Sequence, residues 1–408
     1  MIDYGVYPRT EKFARYLPKY GWHPIILRLK NPGLFGSVSK ECDKLEDVEV
    51  YPCVNILHLE IPAGALRRLG TSYRSIVLPD IFIGWIPMAL RKGMGILNKD
   101  DIDVIYSSSP PESSAIVGAI LKKKAGKPLV VDMRDAWTLN PFLTSYPTPL
   151  HKRIDRYIEK RVLESCDQLI TVTNGIKEDY LAIYPWLKEK TTVIRHGFDT
   201  DDFPGNCKPF DKFTITYTGA FYGVRYPELF LAGLRKALDE NRIPRDDINV
   251  IFVGSKRKEL SRMVEHFALH NVIACTSRVP HKEAVEYTCK SHLLLLVEPS
   301  NSLTSKVYEY LVTGNPILAI VPQGELEQLI RGYSDNSYIT QDVDEIADAI
   351  VDAYTKWSKG ELHKTADPKI TEYMSKYTRE NQTRELIEVF ERAIKKNHQA
   401  ANIVYRGL

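Results

Sequence analysis

The chain is 408 residues long, 44% hydrophobic and 26% charged, with a formal net charge of +3. That length exceeds what one core usually serves and predicts two domains of roughly 200 residues, while the small charge, with no aromatic-basic motif beside it, argues against a nucleic-acid partner. Six cysteines at 42, 53, 166, 207, 275 and 289 show neither CxxC spacing nor a histidine in ligand register; they read as reduced thiols of a cytoplasmic protein and give no metal site. The most apolar long stretch, 76–90, carries Asp80 and two prolines and is too short to span a bilayer, and the start does not read as a signal peptide.

Strands alternate with helical stretches along the chain, the pattern of open, parallel, doubly wound sheets. Residues 24–29 and 48–51 read as short strands, and 103–111 (DVIYSSSPP) as a strand ending in a loop. A helix over 112–126 and a strand over 128–135 (PLVVDMRD) complete a βαβ unit. Asp132, Arg134 and Asp135 then fall at a strand's C-terminal end, where such sheets bind ligands. A long helix at about 150–165, a strand at 168–173, another helix and a strand at 192–195 follow. His196, Gly197, Asp199, Pro204 and Gly205 read as a linker, with His196 a packing residue.

The cycle restarts with strands near 213–218, 249–253, 271–275, 293–297 and 316–321, and the tail after 366 is helical and charged. Residues 293–320 (LLLLVEPSNSLTSKVYEYLVTGNPILAI) carry the most chemistry. An unbroken apolar run predicts a strand covered on both faces, and Pro299, Asn301 and Ser302 end it. Thr304 and Ser305 are natural N-cap residues of the helix that follows, so its amides and positive dipole end point back toward the strand. Lys306 beside them would meet a phosphate, and Glu309, one turn on, can take two ribose hydroxyls. A capping role for Glu309 fails on spacing, since Val307 and Tyr308 occupy the third position after Thr304 and Ser305.

The segment K-V-Y-E-Y-L-x-x-G-x-P-I resembles the donor-binding helix of GT-B glycosyltransferases of family 4, the group 1 glycosyltransferases. VVDMRDAW (130–137), LITVTNGIKEDY (169–180), VIRHGFD (193–199), YTGAFY (217–222), IFVG (251–254) and VPHKEAVEY (279–287) resemble the same family in the same order, over almost the whole chain. The resemblance implies two Rossmann-like domains facing a cleft: an acceptor-side domain over 1–198, a nucleotide-sugar donor domain over 199–365, and a tail over 366–408 crossing back to the first. Proteins of this kind begin with a strand and a glycine-rich loop. Here IDYGVYPRTEKFARYLPKYGW follows Met1 almost at once, so the first strand reads as missing; a start codon lying upstream is the favoured reading, and a domain lacking that inner strand and much of a ligand loop the other.

The family would place two basic residues on the donor's diphosphate. Ala220 occupies the first position, leaving Arg225, after the Gly219 turn, as the second, with Lys306 as its partner. A glutamate expected eight residues before Glu309 is Asn301, whose amide can still bond sugar hydroxyls, while Glu298 reads as ending its strand. Arg134 and Asp135 would face the sugar, or else form a loop-fixing ion pair beside Trp137. The backbone near Val279 and Pro280 would neighbour the base, and His281 would not. Asp101 and Asp103 form a DxD string before a strand and read as a turn.

The implied activity is a retaining transfer from a nucleotide-diphosphate sugar to a glycan or lipid-linked acceptor in surface polysaccharide biosynthesis, with no cofactor and no metal. Residues 66–93 mix arginines with apolar residues and suit either peripheral membrane contact or a buried amphipathic connection. The alternatives are a nucleotide-sugar epimerase of the same fold and a non-catalytic sugar-nucleotide-binding homologue.

Overall fold

The computed structural model describes residues 1–3, 8–30, 47–56, 77–140, 146–205, 207–221, 225–255, 258–300, 303–332, 336–364 and 374–406. They form two compact units, Met1–Arg195 with Arg379–Leu408, and His196–Thr378.

The first unit is a parallel sheet of β1 (Ile2–Asp3), β2 (Ile25–Leu29), β3 (Glu49–Cys53), β4 (Ile105–Ser109), β5 (Leu129–Met133), β6 (Gln168–Thr171) and β7 (Thr191–Val193). Its order is β3-β2-β1-β4-β5-β6-β7. Every residue of β4, β5 and β6 is buried, as expected of parallel strands covered by helices on both faces. Ile2–Asp3 holds the central place, pairing with Leu27 and Arg28 on one side and Ser107 on the other, so the described residues include a short strand where the sequence pattern showed none.

Arg9 has no exposed surface and ties the unit together. Its Nε donates to Asp132 at 2.8 Å, and its other nitrogens donate to the carbonyls of Arg195 and Ile194 at 2.6 and 2.8 Å. Tyr106 donates to the same Asp132 oxygen. A buried arginine is tolerable only with such full pairing. The helix Arg379–Arg406 belongs to this unit, where Leu386, Val389, Phe390 and Ala393 cluster with Phe13, Tyr106, Val130 and Ile170. Of residues 66–93, the described part buries Trp85, Ala89 and Gly93, so it packs as a connection; the remainder lies outside the described residues.

The second unit is a parallel sheet of β8 (Phe213–Thr218), β9 (Ile248–Val253), β10 (Ile273–Cys275), β11 (Leu293–Val297), β12 (Ile317–Ile320) and β13 (Tyr338–Ile339), in the order β10-β9-β8-β11-β12-β13. The boundaries fall at 196 and 379, not after 198 and 365. Phe198 is buried and its N–H bonds the Tyr377 carbonyl at 3.0 Å, while Met374 joins the same cluster, so both ends of this segment pack within the second unit. The stretch read as a linker is therefore built into a core. No helix among the described residues is long and apolar enough to cross a membrane.

Candidate active site

In an open parallel sheet, ligands bind beyond the strand C-termini where the strand order reverses. In the second unit that point lies between β8 and β11, which are neighbours although β9 and β10 separate them in the chain. Gly219 follows β8, Glu298 follows β11, and the helix Ser305–Thr313 starts just after. Thr304 is its N-cap residue, yet its side chain makes no cap bond, and its buried hydroxyl has no partner among the described residues. The first turn, with Ser305 and Lys306, is thus left without a side-chain cap.

Lys306 Nζ lies 2.9 Å from the Tyr217 hydroxyl and 4.2 Å from that ring's centre. Burial and the nearby Arg225 charge push its pKa down to about 7, against the opposing pull of Glu298 and Glu309. Gly219 makes the approach feasible: its φ of +115° suits glycine, and Ser255 donates to its carbonyl.

Arg225 and Glu298 are both buried and form an ion pair through an arginine Nη and Glu298 Oε2. Burial raises the Glu298 pKa, while Arg225 acts to lower it. Glu298 therefore does more than end its strand, and Arg225 is no solvated loop residue. Asn301 lies outside the described residues, as do 222–224 before Arg225.

Glu309, one turn beyond Lys306, accepts from His281 Nε2 at 3.0 Å, and His281 Nδ1 lies 3.4 Å from Asp202. The two carboxylates, Asp202 first, raise the imidazole pKa to about 10. His281 opens the helix His281–Lys290 and so stands between Asp202 and Glu309, a pairing apart from any contact with a base. Val279 stands two residues earlier, half-buried in the loop after β10. Sequence offered only its helix-start position as a signal. Tyr217 was missed as well, since it sits in an apolar strand and reads as core.

In the first unit, Asp135 follows β5 and is exposed, whereas Asp132 is consumed by Arg9 and Tyr106 and is no ligand-edge residue. Arg134 donates to the Ser109 and Pro110 carbonyls. Beyond it, Trp137 Nε1 donates to Asp155 at 2.9 Å, and the Tyr180 hydroxyl receives the Trp137 N–H and donates to Glu159. Asp101 pairs with Lys127 at the other end of the strands.

Two family models match the chain in succession: one described as Glycosyltransferase Family 4 over residues 9–202, and one as Glycosyl transferases group 1 over 199–380. No curated protein sequence matches it. Among solved structures, Anabaena Alr3699/HepE in complex with UDP and glucose is similar with a TM-score of 0.67 at 15% identity, over 96% of this chain and 98% of that one. A glycosyltransferase from Rickettsia africae ESF-5 gives 0.66 at 15% identity, over 95% and 94%. A Listeria monocytogenes protein assigned as a UDP-N-acetylglucosamine 2-epimerase gives 0.54 at 12% identity, over 97% and 96%. At such identities the likeness is one of fold, here GT-B.

Proposed function

The chain belongs to the group 1 glycosyltransferases of family 4, and from that premise we propose that it moves a sugar, with retention at the anomeric carbon, from a nucleotide-diphosphate donor to a glycan or lipid-linked acceptor. The observation that carries this reading is the convergence of Lys306, Arg225 and an uncapped helix start at the strand-order reversal of the second unit, with Glu309 one turn away. The bond from the anomeric carbon to the diphosphate breaks with its electron pair on the leaving oxygen. Lys306 and Arg225 answer that growing charge, so the reaction needs no metal in this reading. Glu298 accepts from one Nη of Arg225, whose planar fork of N–H donors suits phosphate as well as carboxylate.

Glu309 holds the ribose, and Thr304, Ser305 and the Gly219 turn surround the phosphates. Val279 borders the base, and Asn301 and Asp135 orient the sugar. That Anabaena HepE holds UDP and glucose supports a nucleotide-sugar donor. Surface polysaccharide synthesis on the cytoplasmic side is the setting that suits such a transfer.

The epimerase-like fold of the Listeria protein supports a second reading, in which the donor sugar is converted with no acceptor. A thermal-shift screen of UDP-, GDP- and other nucleotide sugars, followed by product analysis, tests both. We expect one nucleotide class to raise the melting point and sugar to reach an acceptor; a converted free donor favours the second reading, and no stabilisation by any nucleotide overturns both.

A further inference from the structure

Large exposed apolar side chains are few and clustered. Of the eight among the described residues, Leu150, Ile154, Tyr157, Ile183 and Trp186 fall on two stretches of the first unit that Tyr180 and Glu159 bond together at 3.0 Å. Leu150, Ile154 and Tyr157 are spaced four and three residues apart on the helix Pro149–Ser165, which sets them on one face, and they are 61%, 42% and 64% exposed. Beside them Lys152, Arg153, Arg156, Lys160 and Arg161 all face solvent.

The acids of this helix are sorted the other way. Asp155 and Glu159 have no exposed surface, because they accept bonds from Trp137, Tyr146, Thr138 and Tyr180 in the interior. Only Glu164 remains outside, shared by Arg161 and Lys160. The outer face is therefore an apolar stripe set among five cations and one anion. An apolar stripe with basic flanks and a tyrosine at its end is the chemistry of shallow insertion among anionic lipid headgroups. A second copy of the chain fits poorly: an isologous contact would lay the five cations against their own counterparts.

We propose that the outer face of the helix Pro149–Ser165 docks the protein on an anionic bilayer surface. The face lies outside the segment 66–93 that the sequence suggested for membrane contact. Docking does not depend on the transfer reading, since it is measured with no substrate present.

The test is flotation of the full chain with vesicles of phosphatidylcholine alone or mixed with phosphatidylglycerol. Binding should favour the anionic vesicles and weaken with salt. Arg153→Glu with Arg156→Glu should lower partitioning by at least roughly tenfold, at about 1 kcal/mol for each basic residue near the surface. Leu150→Ser with Ile154→Ser should lower it too, with unchanged melting temperature and nucleoside-diphosphate binding, because these side chains are exposed. Equal partitioning onto neutral vesicles, absent binding, or binding that neither variant alters overturns the proposal. So does a dimer in sedimentation that the Leu150 and Ile154 changes dissociate.

Discussion

A β-carbon added to Gly219 would stand 3.0 Å from the Lys306 ammonium nitrogen. The glycine after β8 thus sets how close Lys306 can come to the sheet edge, and its φ of +115° is one that alanine adopts only under strain. Gly219→Ala should cost about 1–3 kcal/mol of stability. It should also weaken nucleoside-diphosphate binding, as calorimetry at a temperature well below the melting point would record. Unchanged binding would show that Lys306 does not approach the ligand from this side.

Lys306 also gives donor binding a pH dependence of definite sign. In the free protein its pKa sits near 7, lowered chiefly by burial and then by Arg225. A bound diphosphate favours the ammonium form, so binding above about pH 7 takes up a proton. The dissociation constant should therefore rise as pH climbs from about 7, and hold steadier below it where Lys306 is already charged. Titrations in buffers of different ionisation enthalpy measure the uptake directly. Lys306→Met should flatten the profile and lower turnover by roughly a hundredfold, as for loss of one preorganised donor.

The Asp202–His281–Glu309 chain fixes the glutamate proposed for the ribose. His281→Ala should raise the donor KM with little change in kcat, because the ribose is remote from the breaking bond. His281→Gln, which keeps a donor, should restore part of the loss. Stability supplies a second readout. The imidazole pKa is raised from its ordinary 6.5 to about 10, first by Asp202 and then by Glu309. The margin of the parent over His281→Ala should therefore be full below about pH 6.5 and shrink as pH rises toward 10. A margin that grows with pH contradicts the pairing.

Asp135 offers the cleanest separation of chemistry from folding in the first unit. It is exposed, so Asp135→Asn should leave the melting temperature nearly unchanged, within the small range of surface substitutions. Turnover should fall if the carboxylate orients the sugar. Parallel loss of stability and activity would instead make it a loop-fixing residue.

How far the chain could be read depended on whether a feature was local. Unbroken apolar runs such as 293–297 announced buried strands, and the Thr304–Ser305 start with the Gly314 stop bracketed the helix that holds Lys306 and Glu309. Partnerships across the sheet were silent, because they depend on which strands the topology makes neighbours. Arg225 meets Glu298 across 73 residues, Lys306 meets Tyr217 across 89, and Glu309 meets His281 across 28. Ile2–Asp3 is illegible because two residues carry no periodicity, and Asp132 reads as a ligand from its strand-end position although Arg9 and Tyr106 hold it. The apolar face of the helix Pro149–Ser165 was masked by its dense charge.

The Arg225–Glu298 pair changes what mutation of the diphosphate site should do. Both side chains are nearly inaccessible, 9% and 1% exposed, and removing one partner strands a buried charge. Arg225→Ala should therefore cost about 3–5 kcal/mol. Glu298→Ala should cost a similar amount while keeping the guanidinium. Replacing both together, as Arg225→Met with Glu298→Leu, removes the stranded charge and should recover much of the stability. If Arg225 serves the departing diphosphate, this double variant folds but transfers sugar at least roughly a hundredfold more slowly. Urea unfolding and initial rates on the same four proteins decide the matter. Recovery of stability and turnover together would reduce the pair to a structural brace and leave Lys306 as the donor site's cation.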